Sequence, residues 1–195
     1  MKIIGITGGI GSGKTAVLNI LKEEYGAFVL EADALAHRLM EPGQISYNAI
    51  VKAFGKEVLT DNGSIDRGKL GQIVFSDKDK LDLLNSITHP NVKKAILSSI
   101  EEQRNLGCHL YVLEAALLIQ DGYTGICDEM WYVYADKEIR IERLCKFRGF
   151  TRERAQGVID SQASDEYYQS NCSKKIDNSG DIVELKEHIS CAIQI

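Results

Sequence analysis

The run Gly8-Gly9-Ile10-Gly11-Ser12-Gly13-Lys14-Thr15 has the spacing G-x-x-x-x-G-K-[ST], and together with its flanks it restricts the fold more than any other feature. Lys2 to Thr7 (KIIGIT) before it reads as a buried strand. Lys14 to Tyr25 after it reads as a helix with Val17, Leu18 and Leu21 on one face. A strand that passes through glycines into a helix gathers backbone N–H groups and the helix's positive end around one point. That arrangement suits a polyphosphate. Glycines let the backbone approach the anion, Lys14 places a cation on the outer phosphates, and the Thr15 hydroxyl can ligate Mg²⁺. Gly9, Gly11, Ser12, Gly13, Lys14, Thr15 and Ala16 are therefore the expected ATP-binding residues.

The same letters carry two other readings. Gly11-Ser12-Gly13-Lys14-Thr15-Ala16 also spells G-x-G-x-x-A, the dinucleotide fingerprint, and Asp33 lies about twenty residues further on, where that fold keeps its ribose acid. That turn leaves Lys14-Thr15 without a task and is shorter than the loop beginning at Gly8. A chance glycine-rich turn would not sit between a strand and a helix.

Further apolar runs repeat the strand-then-helix theme. Ala27 to Leu30, His109 to Leu113, Met130 to Ala135 and Lys174 to Ile176 each read as short strands. Strands alternating with helices predict a parallel sheet covered on both faces. Between the second and third strands, residues 34–107 read as wholly helical, punctuated by Glu41-Pro42-Gly43 and Asp61-Asn62-Gly63. A crossover needs only about a dozen residues, so this segment reads as an insertion able to hold a sizeable ligand. A second excursion, 136–168, follows the fourth strand and carries Arg140, Arg143, Arg148, Arg152 and Arg154. A length of 195 residues fits one domain containing both excursions.

Composition removes several classes. The net charge of −5 argues against a nucleic-acid binder. The opening apolar run is too short for a signal peptide, and no stretch approaches a membrane span, so the expected place is the cytoplasm with no membrane partner. Five scattered cysteines without a CxxC pair predict reduced, mostly buried thiols. The expected assembly is a monomer or weak oligomer.

The guanine-reading N-K-x-D of GTPases is missing from the sequence, and the chain is short for a motor. A small-molecule kinase needs a carboxylate to accept a hydroxyl proton, cations around the moving phosphoryl group, and an acceptor pocket. Glu31-Ala32-Asp33, directly after the second strand, offers the carboxylate. Asp33 reads equally well as the N-cap of a helix over 34–40. Arg140 and Arg143, three apart, share a helix face and offer guanidinium forks for phosphate oxygens. Each arginine taken singly also fits a solvated helix face. A kinase for another small molecule or a nucleotide, or a regulatory ATP-binding module, are the alternatives.

At these residues the chain resembles bacterial dephospho-CoA kinases over nearly its whole length. Ile4 to Lys14 is similar to the family's opening L-T-G-G-I-G-S-G-K. Glu31-Ala32-Asp33-Ala34-Leu35-Ala36-His37 resembles D-A-D-x-x-A-[HR]. Gly63-Ser64-Ile65-Asp66-Arg67 and Leu84-Asn85-Ser86-Ile87-Thr88-His89-Pro90 match further motifs, and Gln162 and Asp177-Asn178-Ser179-Gly180 the late ones.

The resemblance implies an α/β fold of the P-loop NTPase type: three layers with a central five-stranded parallel sheet, a helical substrate-binding insertion and a helical lid. It implies transfer of the γ-phosphoryl group of ATP, with Mg²⁺, to the ribose 3′-hydroxyl of dephospho-CoA. Asp33 becomes the general base, acting with Lys14 and the lid residue Arg143. Asn178 would lie near the adenine. Asp33, His37, Asp66, Arg67, His89 and Glu114 would meet the acceptor, while His89 also reads as a helix-start residue before Pro90 that only packs. The chain departs from the family at Glu31, usually Asp. It departs again across Glu114 to Gln120, where D-x-P-L-L-F-E is usual and Ala116 replaces the proline. Phe147-Arg148 stands where R-D is usual, which points to Arg148 as the second lid arginine.

Overall fold

Short, β-branched apolar runs bounded by glycines and polar turns become the strands of this computed structural model, which describes residues 1–115, 118–120 and 122–193. The strands are β1 (Lys2–Thr7), β2 (Phe28–Glu31), β3 (Leu110–Glu114), β4 (Glu129–Tyr134) and β5 (Lys174–Asp177). They form one parallel sheet in the order β2-β3-β1-β4-β5. Lys2 to Ile6 of β1 lie opposite Leu110 to Glu114 of β3, and Ile4 to Thr7 lie opposite Glu129 to Tyr132 of β4. With β1 central, the loop that follows it opens at the sheet's carboxyl edge, where such sheets bind ligands.

Residues 1–30 and 103–195 make up one compact unit. Its helix α1 (Lys14–Tyr25) buries Val17, Leu18, Ile20 and Leu21. They join Ile4, Ile6, Val112, Trp131, Val133 and Leu185 in the main core. Further along lie α6 (Lys137–Arg148), α7 (Arg152–Asp160), α8 (Asp165–Asn171) and α9 (Ile182–Ala192), numbered after the four helices of the other unit. Ile141, Leu144, Ala155 and Ile159 form a small core of their own between α6 and α7. Three of these helix starts have a local cause. Thr151, Ser164 and Asp181 cap α7, α8 and α9 by accepting from backbone N–H groups of the first turn.

Residues 31–102 make up the second unit. It contains α2 (Ala32–Leu39), α3 (Ile45–Phe54), α4 (Arg67–Phe75) and most of α5 (Lys78–Asn105), around Ile50, Phe54, Val58, Leu70 and Val74. The expectation of a wholly helical segment needs one correction. Leu59 and Ile65 form an antiparallel bridge, because Gly63, at φ 82°, folds the chain back and lets Thr60 N–H donate to Ser64 O at 2.8 Å.

Helix α5 runs on through Pro90, so His89 does not start a helix. Proline removes one N–H from the ladder. Nearby side chains donate to carbonyls of the preceding turn: Thr88 Oγ1 to Leu84 O at 3.0 Å and Asn91 Nδ2 to Ile87 O at 2.9 Å. The cysteines also differ from expectation. All five are free, but Cys191 is exposed and the other four are only half-buried. Among the described residues, no helix is long and apolar enough to cross a membrane.

Candidate active site

The phosphate loop links β1 to α1, and its conformation follows from the glycines at its corners. Gly13, at φ 89°, is the N-cap of α1 and has no side chain to satisfy the helix's first N–H groups. Those donors are left for a ligand. A Cβ at Gly13 would overlap the Asn178 amide, so this position is closed to larger residues on two counts. Lys14 Nζ donates to Gly8 O at 2.9 Å and stands 3.7 Å from Glu114 Oε1. Glu114 ends β3 and is buried, so its carboxylate and the ammonium share a low-dielectric setting.

The outer face of the loop is lined by donors. Arg140 Nε donates to Ile10 O at 2.9 Å. Arg143 Nη1 reaches Gly11 O and Ser12 O at 3.5 and 3.4 Å, while its Nη2 donates to Asn178 O at 2.8 Å. Asn178 Nδ2 donates to Ser12 O at 2.7 Å. Three consecutive carbonyls, at residues 10, 11 and 12, are thus engaged from outside. A peptide chain whose carbonyls are held outward is free to aim N–H groups inward at an anion. Burial lowers the Arg143 guanidinium pKa from its ordinary value. The buried hydroxyls of Thr7 and Ser12, beside the loop, have no hydrogen-bond partner among the described residues.

The face-sharing of Arg140 and Arg143 holds, and both reach the loop. Arg148 lies in the last turn of α6 and is exposed, as is Phe147. Sequence reasoning missed the part played by Gln162, whose Oε1 accepts from Ile10 N at 2.8 Å. It also missed that Arg140 is buried. An arginine set within the apolar stripe of α6 was the available signal.

Gly9, Gly11, Ser12, Gly13, Lys14, Thr15, Ala16, Glu114, Arg143 and Asn178 all belong to the unit built on the sheet. Asn178, expected near the adenine, has its side-chain amide on the loop carbonyl of Ser12. Asp33, His37, Asp66, Arg67 and His89 belong to the 31–102 unit. Asp33 is not an N-cap. Helix α2 begins at Ala32 with Glu31 in the cap position, leaving Asp33 in the first turn and exposed. His37, four residues on, shares its face and is also exposed. Asp66 caps α4, accepting from Gly68 N and Lys69 N at 3.0 and 3.1 Å, beside an exposed Arg67. His89 is exposed in the middle of α5. Ala116, the site of the lost proline, lies outside the described residues.

An Mg²⁺ arriving with a nucleotide requires hard oxygen donors and keeps several waters. The Thr15 hydroxyl, exposed in the first turn of α1, and the Glu114 carboxylate suit that chemistry. Among the described residues, no three of His, Cys, Asp or Glu come together to hold an ion alone.

A family model described as dephospho-CoA kinase matches residues 2–184. The chain belongs to the dephospho-CoA kinase family. A dephospho-CoA kinase from Carboxydothermus hydrogenoformans is 41% identical over 194 residues, covering 100% of this chain and 94% of its own. The solved dephospho-CoA kinase from Campylobacter jejuni superposes with a TM-score of 0.73 at 25% identity, covering 100% of this chain and 96% of its own. A Thermus thermophilus protein of known crystal structure reaches a TM-score of 0.82 at 31% identity, covering 98% of this chain and 95% of its own. The family and the α/β P-loop kinase fold implied by the motifs are therefore established for this chain.

Proposed function

We propose that this chain transfers the γ-phosphoryl group of ATP to the ribose 3′-hydroxyl of dephospho-CoA, giving ADP and CoA. Membership of the dephospho-CoA kinase family over residues 2–184 carries this reading, with the phosphate loop as its physical basis. In this reading Gly9, Gly11, Ser12, Gly13, Lys14, Thr15 and Ala16 form the nucleotide site, the Lys14 ammonium binds the polyphosphate, and Thr15 offers its hydroxyl to the metal. Mg²⁺, when bound, neutralises charge on the outer phosphates. Asp33 accepts the proton of the attacking hydroxyl, a task suited to an exposed carboxylate in the first turn of a helix. The 31–102 unit holds the acceptor through His37, Asp66, Arg67 and His89, with Glu114 also contributing. The 136–168 excursion, with Arg143, supplies cations and keeps water from the transferring group. Asn178 lies near the adenine and steadies the loop that binds its phosphates.

The same reading assigns the protein to the cytoplasm as a monomer or weak oligomer, acting on a small molecule, with no nucleic acid or membrane partner. A net charge of −5 supports the exclusion of nucleic acid.

A coupled ADP-release assay with and without dephospho-CoA tests the proposal. ADP release should depend on dephospho-CoA, and the product should carry a 3′-phosphate by mass spectrometry. Release at the same rate without any acceptor would favour a regulatory ATPase. Release driven better by a nucleoside, a nucleotide or a small alcohol would reassign the acceptor.

A further inference from the structure

Ile10, in the middle of the phosphate loop, is held on three sides. Its N–H donates to Gln162 Oε1 at 2.8 Å, its carbonyl accepts from Arg140 Nε at 2.9 Å, and its side chain packs on the α6–α7 core. The two polar partners are themselves joined, because Arg140 Nη2 donates to the same Gln162 Oε1 at 2.9 Å. One glutamine oxygen thus serves two donors and closes a ring through Arg140 and the peptide groups of Ile10.

Two neighbouring glycines are shaped around the same guanidinium. A Cβ at Gly9 would overlap Arg140 Nη2 and meet Gln162 Oε1, and one at Gly11 would press on the Arg140 backbone. Arg140 is only 7% exposed. A cation so buried is costly unless it is hydrogen-bonded and its charge is answered. Its partners in the ring are neutral oxygens, and it makes no ion pair among the described residues. Its charge therefore remains available, directly behind a loop built for an anion.

We propose that Arg140 and Gln162 are positioning residues for the phosphate loop: as a pair they fix both peptide groups of Ile10 and set a buried positive charge behind the nucleotide's phosphates. The proposal rests on the reading that this loop takes ATP. A loop held in its binding shape before the ligand arrives loses less freedom on binding, so the pair acts on nucleotide affinity. Neither residue is among those read as meeting the acceptor, which are Asp33, His37, Asp66, Arg67, His89 and Glu114.

The test uses the full chain and the variants Arg140→Met, Gln162→Leu and the double variant. Mg²⁺-ADP binding is measured by calorimetry, with KM for ATP, KM for dephospho-CoA, kcat and the melting temperature alongside. Loss of a charge-assisted hydrogen bond predicts that Kd for ADP and KM for ATP rise about tenfold in each single variant. KM for dephospho-CoA should stay within about twofold, and the double variant should lose less than the product of the single losses because one ring is broken only once.

A rise in Kd for ADP below about threefold in a variant that still melts cooperatively overturns the proposal. So does an equal rise in both KM values, which marks general loosening, and so does a double loss equal to the product. If Arg140→Met fails to fold, Gln162→Leu decides by the same criteria. A wild-type chain that fails to bind ADP instead overturns the ATP reading itself.

Discussion

The Asn178 side-chain amide donates to the carbonyl of Ser12 across 2.7 Å, joining the end of β5 to the phosphate loop with both residues buried. This bond ties two segments 166 positions apart in sequence and holds one loop carbonyl away from the ligand side. Replacing Asn178 by Ala leaves that carbonyl only the longer contact from Arg143 Nη1 at 3.4 Å. The expected loss is about 1–2 kcal/mol, or roughly 3–6 °C in melting temperature. Asn178→Asp should melt lower still at pH 7, since a carboxylate then faces a carbonyl oxygen, and should recover as acid protonates it. An Asp variant that melts above the Ala variant at pH 7 would show that this bond contributes nothing.

Lys14 is expected to matter for turnover far more than for folding. Alanine is the strongest helix former, so Lys14→Ala should preserve α1 and the far-ultraviolet circular dichroism. The same change removes the ammonium from the outer phosphates. A fall in kcat/KM for ATP of about 10²–10³ is expected, by analogy with the loss of one preorganised charge-stabilising donor. Normal turnover in the folded variant would withdraw the assignment of the loop.

Asp33 stands in the first turn of α2 and makes no cap. If it is the base, Asp33→Asn lowers kcat by about 10²–10⁴ and leaves both substrate affinities nearly intact. Steady-state kinetics with each substrate varied at saturation of the other decide the matter. An unchanged kcat would remove Asp33 from the chemistry and leave it a helix-terminus charge.

Glu129 supplies a pH-dependent term away from the active site. Burial works to raise its carboxyl pKa, but hydrogen bonds from Trp131, Lys174 and Lys2 outweigh it and hold the value down at about 2. Trp131 Nε1 donates at 2.8 Å, and the two ammonium groups stand 3.0 Å away. A folded-state value below the unfolded one stabilises the protein above about pH 4.5, and that contribution fades as pH falls toward 2. Glu129→Gln should therefore lower the melting temperature by roughly 2–4 °C at neutral pH. The gap should narrow in acid, and a gap independent of pH would rule out the ionic origin.

The sequence alone was enough for the strand–loop–helix unit, because everything it depends on is local: a β-branched run, glycines that can turn, and a helix start at Lys14. All five strands could likewise be read from short apolar runs, within about a residue at each end. The small bridge between Leu59 and Ile65 could not, since it needs two segments to meet across a glycine turn. Whether Asp33 caps a helix is settled only in the fold, where α2 begins at Ala32, two residues before the expected start.

The loop's partners lay furthest from the sequence's reach. Five arginines crowd residues 140–154, and composition ranks none above the others. Only the packing of α6 and α7 turned Arg140 inward, left Arg148 in solvent, and brought Gln162 to Ile10 across 152 positions. Local propensity acts over one turn of helix or a few residues of strand. Which donor meets which carbonyl is settled by contacts between distant segments, and those exist only once the sheet and its helices have closed.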